Sequence, residues 1–326
     1  MNTIERALAK KKSKQAAEEN RQEALNPEET QQAVETHAHE ASAEPIEQVA
    51  QTETAATSQE EVKTEAEPVS TNNDGDDNKQ VTTRHLDINL SELEERGFVS
   101  LTNSRRVVNE EYRVIKRKVL NNAFGPLSKT LNNSNVIMVS SPRPNDGKTF
   151  TAINLALSIA LEQDKTVLLV DADVLRPSVM RELGVNFDKG LMEYLLGDVD
   201  SLSEVMYSTN IEKLKVIPAG ESHHLSTELL ASEKMWETVK EFSSRYSDRV
   251  VIFDTPPLLG INETAILANL AGQAVVVVKE NNSRIGDVNE AIKQLNPDMS
   301  KGIVVNQSTR SRDSTGYYGY YYSGNN

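Results

Sequence analysis

Lys148 and Thr149 end an eight-residue run, Pro142-Arg143-Pro144-Asn145-Asp146-Gly147-Lys148-Thr149, which follows the apolar residues Val136-Ile137-Met138-Val139. A lysine and a hydroxyl directly after a glycine suit phosphate chemistry. Backbone N–H groups at a helix start face the anion, the ammonium reaches the β/γ-phosphates, and the hydroxyl is placed to ligate Mg²⁺. The spacing is that of G-x-x-x-x-G-K-[ST], with Pro142 where the first glycine is expected. Carboxylates recur in a matching context. Val167-Leu168-Leu169-Val170 runs into Asp171 and Asp173, and Val250-Val251-Ile252-Phe253 runs into Asp254. One aspartate at a strand end is commonly a turn or a cap. Three such strands together with Gly-Lys-Thr are poorly explained by caps, and they point to a nucleotide site.

Positioning these residues requires parallel strands whose carboxyl ends share a crevice. Expected strands lie near 136–141, 166–171, 214–218, 250–254, 273–279 and 302–306. Expected helices lie near 148–162, 190–197, 200–207, 233–246, 262–270 and 286–295. Repeated β–α units with consecutively apolar strands predict a P-loop-type α/β fold, a mostly parallel sheet with helices on both faces. A further helix is expected over about 105–121, with Val114, Ile115 and Leu120 in apolar contact and Glu110, Arg113, Lys116 and Arg117 on adjacent turns. Those charges alone are also what a surface helix laced with i,i+3 and i,i+4 pairs would show. Trp236, the only tryptophan, falls in a helical run and is expected in packing. His223 and His224 read as loop residues.

The chain has 326 residues, no cysteine and a formal net charge of −14. No apolar run reaches the roughly 18–20 residues of a membrane span, and the start does not read as a signal peptide. Residues 27–80 hold 14 acidic residues against two lysines. The remainder is nearly balanced and offers no broad basic surface for nucleic acid. Residues 1–85 are expected to be a disordered, acidic N-terminal region, since their composition cannot offset chain entropy. Within it, residues 1–14 could form a short docking helix or a solvated terminus, and both readings stand. Residues 86–125 read as a linker plus a helix, residues 126–308 as the nucleotide-binding domain, and residues 309–326 as a tail. That tail holds Tyr317, Tyr318, Tyr320, Tyr321 and Tyr322, five of the nine tyrosines. It is either a sticky low-complexity end or a cluster of phosphorylatable hydroxyls attached to a nucleotide site.

Taken together, these motifs resemble the bacterial tyrosine kinases that regulate capsular and exopolysaccharide production. The resemblance covers about residues 105–326. Ser-Ser-Pro-Arg-Pro-Asn-Asp-Gly-Lys-Thr is similar to that family's Walker A loop, where proline at the position of Pro142 is usual. Leu-Leu-Val-Asp171-Ala-Asp173 is similar to its Walker A′ motif, Val-Ile-Phe-Asp254-Thr-Pro-Pro to its Walker B, and the tail to its phosphorylation cluster. The detailed motif forms are most similar to cytosolic autokinases of exosortase-type exopolysaccharide systems. Two departures stand out: Arg176 falls one place after the family's arginine, and Lys116 ends an oligomerisation motif, formed with Glu110 and Arg113, that usually ends in arginine.

The resemblance implies an ATP- and Mg²⁺-dependent autokinase, with Asp171 accepting the proton of the incoming tyrosine. Thr149, Asp173 and Asp254 would hold the metal directly or through water, and Asn306 would lie near adenine, although a turn asparagine explains that residue equally well. It further implies self-association with phosphorylation of the tail in trans and a membrane co-polymerase, or chain-length regulator, as activator. A tyrosine phosphatase and a cytoplasmic location at the inner face of the membrane through that partner complete the expectation. Two other readings remain open at this point: an ATPase switch of the MinD/ParA type, and an ATP-binding adaptor that presents the tail without catalysis.

Overall fold

The computed structural model describes residues 84–102 and 105–309. The expected docking helix, nearly all of the acidic region and the tail tyrosines lie outside the described residues. Eight strands form one sheet: β1 (His85–Leu86), β2 (Val136–Ser140), β3 (Thr166–Asp171), β4 (Tyr207–Thr209), β5 (Leu214–Ile217), β6 (Arg249–Asp254), β7 (Gln273–Lys279) and β8 (Ser300–Asn306). Their order is β1-β4-β5-β3-β6-β2-β7-β8. Every neighbouring pair is parallel except β4 with β5. This order puts β3, β6 and β2 side by side, so the three strands that end in polar residues deliver them to one edge. The register pairs Asp171 directly with Asp254.

The buried strands alternate between two cores. Ile137, Val139, Leu169 and Ile252 face one side, while Val136, Met138, Leu168 and Phe253 face the other. The first side is covered by helices α2 (Val107–Phe124) and α3 (Lys148–Ala160). Helix α3 is buried nearly all round, which is why its sequence is apolar well beyond one stripe. The second core takes in Met235, Val239 and Phe242 of α7 (Glu233–Ser244). Shorter helices α1 (Leu90–Glu95), α4 (Val179–Leu183), α5 (Leu191–Leu196), α6 (Ser226–Leu230), α8 (Asn262–Ala268) and α9 (Ile285–Lys293) fill the connections.

Several expectations change. Residues 86–102 do not form a linker: Leu86, Ile88, Leu93, Phe98 and Val99 are buried in the first core. Phe98 stacks on Phe150 of α3 with ring centroids 4.8 Å apart. The expected helix near 200–207 is a 3₁₀ turn over Leu202–Glu204 followed by strand β4. Trp236 is 52 % exposed instead of packed, with the Lys240 ammonium over its ring. Helix α2 turns Tyr112, Lys116, Val119 and Ala123 inward and leaves Val114 largely in solvent.

Candidate active site

The loop after β2 takes its shape from two left-handed residues, Asn145 (φ 68°) and Gly147 (φ 95°). Asparagine and glycine tolerate that region best. The left-handed positions are thus 145 and 147, so proline is accommodated at 142. Gly147 caps α3 without a side-chain bond to its first turn, so N–H groups at that helix start have no side-chain acceptor. A Cβ at Gly147 would sit 2.0 Å from Asn306 Nδ2. That same amide donates to the carbonyl of Asp146 at 3.0 Å. Asn306 therefore braces the loop from the end of β8, and its amide is committed to that carbonyl. Asp146 is buried, accepts the Arg143 N–H at 3.4 Å, and keeps an Oδ1 with no partner. Burial pushes its carboxyl above the usual range. Arg143 turns outward and donates twice to Asp287 of α9, at 2.6 and 3.1 Å.

Behind the loop, one lysine meets three carboxylates. Lys148 Nζ lies 2.6 Å from Asp173 Oδ2 and 4.0 Å from Asp254 Oδ1. Burial disfavours its charge, but attraction to Asp254 and Asp173 outweighs that and holds its pKa above the ordinary lysine value. Thr149 Oγ1 donates to Asp254 Oδ2 at 2.6 Å and lies 2.7 Å from Ser178 Oγ. Asp254 is fully buried, and its Oδ1 has no hydrogen-bond partner. Burial raises its pKa, opposed by Lys148 and by the Thr149 hydroxyl. Asp171 is also fully buried. Its Oδ1 accepts the N–H of Asp173 at 3.2 Å, and its Oδ2 accepts those of Ser178 and Val179 at 3.0 and 2.9 Å. Burial and the neighbouring Asp254 raise its pKa, and the backbone donors only partly offset them.

The cleft in front has a volume of about 700 Å³ and is lined by Pro144, Asn145, Gly147, Lys148, Thr149 and Asp173 of the expected set. Asp171 and Asp254 stand behind this lining, while Pro142, Arg143, Asp146 and Asn306 shape or brace the loop. The sequence reading missed Phe150, Leu175, Ser178, Arg181, Glu182 and Ile261, which complete the wall together with Arg176 and Pro257, noted before only as parts of motifs. Pro177-Ser178 ahead of Val179-Met180 is a helix-start signal that could have located α4. Whether the remaining wall residues reach the cleft depends on how α4 and the loop after β6 pack.

Of the three residues expected at an oligomer contact, Glu110 and Arg113 pair with each other on α2 and are partly exposed. Lys116 differs. It is buried, donates to the Ser158 carbonyl at 2.9 Å, and pairs with Glu162 at 2.6 Å. A buried ammonium needs such partners, and here they come from its own subunit, so Lys116 is not part of an exposed face.

The AAA domain family profile matches residues 134–301. The tyrosine-protein kinase YwqD of Bacillus subtilis is 31% identical over 228 residues, covering 69% of this chain and 92% of that protein. A putative tyrosine-protein kinase EpsB of Ralstonia nicotianae is 35% identical over 194 residues, covering 58% of this chain but only 25% of EpsB. The chain thus spans about a quarter of that relative's length. Among solved structures, the BceF tyrosine kinase domain superposes with a TM-score of 0.53 at 26% identity, covering 65% of this chain and 86% of that one. Among the described residues, no helix is long and apolar enough to cross a membrane. A lysine-and-hydroxyl phosphate loop, three carboxylates at adjacent strand ends and relatives of this kind lead to one assignment: the chain belongs to the bacterial tyrosine-protein kinase family.

Proposed function

We propose that this protein is an ATP-dependent tyrosine autokinase that phosphorylates Tyr317, Tyr318, Tyr320, Tyr321 and Tyr322 of a second copy and thereby regulates exopolysaccharide polymerisation or export. The observation that carries the reading is the meeting of Lys148, Thr149, Asp171, Asp173 and Asp254 at one edge of the sheet, beside a helix start whose N-cap makes no side-chain bond. Phosphoryl transfer asks mainly for positioning and charge neutralisation. Loop 142–149 cradles the triphosphate, and Lys148 leaves Asp173 to meet the β/γ-phosphates.

Thr149, Asp173 and Asp254 would hold Mg²⁺, and the buried Asp254 Oδ1, which accepts no hydrogen bond and has Lys148 Nζ only at 4.0 Å, fits a cation there. Among the described residues no three acidic or histidine side chains converge to hold a metal by themselves. Magnesium typically takes one or two carboxylates together with phosphate oxygens and water. The bound ion supplies neutralisation of charge on the transferring phosphoryl group. Asp171 accepts the proton of the incoming tyrosine. Its raised pKa suits a base working near neutrality, and a carboxylate has about four acceptor positions, one more than its three backbone donors use. Asn306 serves the nucleotide by holding the loop.

Glu110 and Arg113 are the solvent-facing contribution of α2 to self-association. A membrane polysaccharide co-polymerase would recruit and activate the kinase at the inner face of the cell membrane, with a tyrosine phosphatase resetting the tail. Residues 84–308 act as the catalytic unit and residues 1–83 as its acidic tether, in a kinase of the exosortase-associated exopolysaccharide type. Each added phosphate brings about −1.5 to −2 charges to the tail, which favours subunit release. The test is phosphotyrosine on purified protein incubated with Mg·ATP. Transfer is expected in the parent and in a mixture of Lys148→Met protein with a variant whose five tail tyrosines are Phe. Absence of phosphotyrosine in the parent would defeat the kinase assignment, and absence only in the mixture would defeat transfer between copies.

A further inference from the structure

Beyond the phosphate loop, the cleft continues to a rim that the chemistry above does not use. Leu175, Pro257 and Ile261 supply apolar surface there, beside Arg176 and Arg181. Both arginines are exposed. Arg176 makes no side-chain hydrogen bond or ion pair among the described residues. Arg181, whose side chain is 73% exposed, has only Glu182 at 3.7 Å. Glu182 would oppose an anion at this rim, but it is already taken. Arg96 donates to its carbonyl at 2.7 Å and pairs with its carboxylate. Inside the cleft, Asp173 pairs with Lys148, and with Mg-nucleotide bound it would face the metal instead. The rim therefore presents two exposed guanidinium groups, one without an ion-pair partner among the described residues and one that shares Glu182 with Arg96, next to a surface suited to an aromatic ring.

We infer that Arg176 and Arg181 form a phosphate-reading rim that docks an already phosphorylated tyrosine of a second copy's tail and so presents its neighbour for transfer. This rests on the kinase reading above. Guanidinium groups bind phosphate through charge-assisted, often bidentate hydrogen bonds. The tail has the required spacing, since each of Tyr317, Tyr318, Tyr320, Tyr321 and Tyr322 has another tyrosine within two positions. Alternate residues of an extended chain share a face about 6.6 Å apart, so a phosphate on Tyr318 or Tyr322 would lie on the same side as the Tyr320 acceptor. The first transfer to a tail is then the slow one, and later transfers are favoured by the phosphate already in place.

The test uses the full chain with its five tail tyrosines changed to Phe, saturated with Mg·ADP so that the phosphate loop is occupied. A fluorescent peptide of residues 312–326 is titrated by anisotropy, either unmodified or phosphorylated at Tyr321. The phosphopeptide is expected to bind at least about tenfold more tightly, and addition of salt should erode that preference. In the Arg176→Gln/Arg181→Gln protein the two peptides should bind alike. Equal affinities in the starting protein, or a preference that survives the double substitution, would overturn the inference. Replacing ADP with ATP and following the peptide by mass spectrometry separates the two ideas. Transfer without preference leaves the kinase and removes the rim, whereas preference without transfer leaves the rim as a phosphate site and removes the kinase.

Discussion

Replacing Lys148 with Met should destabilise the nucleotide-free protein in a way that depends on pH. The ammonium is the cation that faces Asp173 and Asp254, so its removal leaves buried carboxylates without compensation. Breaking a buried pair by deleting one partner costs about 3–5 kcal/mol. For a folded unit of this size that lowers the midpoint of thermal unfolding by on the order of 10 °C. The sign follows from the shifts. Asp171 is pushed up from 3.8 to about 7 and Asp254 to about 6, chiefly by burial. A raised carboxyl value means stability fully present below pH 3.8 and lost as pH rises through 6 to 7. Lys148 is raised above 10.5, so its own contribution is complete throughout this range and is lost only at higher pH. Any change in the gap between the two proteins from pH 5.5 to 8 therefore comes from the carboxylates. Thermal unfolding in EDTA, followed by circular dichroism, should show a wide gap at pH 8 that narrows toward pH 5.5 as protons replace the missing ammonium. A gap equal at both pH values would refute the electrostatic reasoning and leave lost packing as the cause. No gap at all would show that the pair contributes nothing to stability.

Gly147→Ala should weaken ATP binding by roughly 5- to 150-fold in calorimetry, because the new Cβ meets Asn306 Nδ2 at 2.0 Å and the residue sits at φ 95°; the strain costs on the order of 1–3 kcal/mol, and unaltered binding would remove Asn306 as the brace. Phe98→Ala empties a site in the first core against Phe150 and should cost about 3–5 kcal/mol in urea unfolding; a loss under about 1 kcal/mol would return residues 86–102 to the status of a linker. Asp171→Asn should lose phosphotyrosine formation while keeping most Mg·ATP affinity, since a base matters to the transition state more than to ground-state binding; loss of binding in calorimetry would instead make Asp171 a structural or metal residue.

The sheet and its loop were legible because their signals are local. Val136–Val139, Val167–Val170 and Val250–Phe253 are short, β-branched-rich runs of the kind a strand buried on both faces shows, and each leads into the polar residues of the site. Short elements with distant partners were not legible. Strand β1 has two residues and exists because it pairs with β4, more than a hundred positions away. The helix expected near 200–207 is cut to a 3₁₀ turn over Leu202–Glu204, because from Tyr207 the chain pairs with β5 as strand β4. Helix α2 was found, but not its rotation. Lys116 reads as a surface charge until Glu162 and the Ser158 carbonyl are seen to meet it inside. The donors that hold Asp171 were equally hidden, since they belong to the start of α4 and depend on where that helix packs.

Lys148 and Thr149 have internal partners that a nucleotide would have to exchange. Lys148 is bound to Asp173, and the Thr149 hydroxyl to Asp254. Both groups are the ones expected to serve phosphate and Mg²⁺, so binding begins by breaking contacts of 2.6 Å. The exchange is favourable only if the displaced carboxylates regain a cation. Three carboxylates face one ammonium here, and burial already raises two of them. Losing Lys148 to a triphosphate would worsen that imbalance. A metal-free nucleotide removes the ammonium and returns nothing to Asp173 or Asp254, whereas Mg²⁺ arriving with the nucleotide restores positive charge beside them. Nucleotide affinity should therefore depend steeply on Mg²⁺, and Asp254→Asn, which lightens the negative side, should flatten that dependence. Calorimetric titration of ATP with Mg²⁺ or with EDTA distinguishes the outcomes. An Asp254→Asn protein as Mg²⁺-dependent as its parent would mean that the phosphates alone recruit the metal.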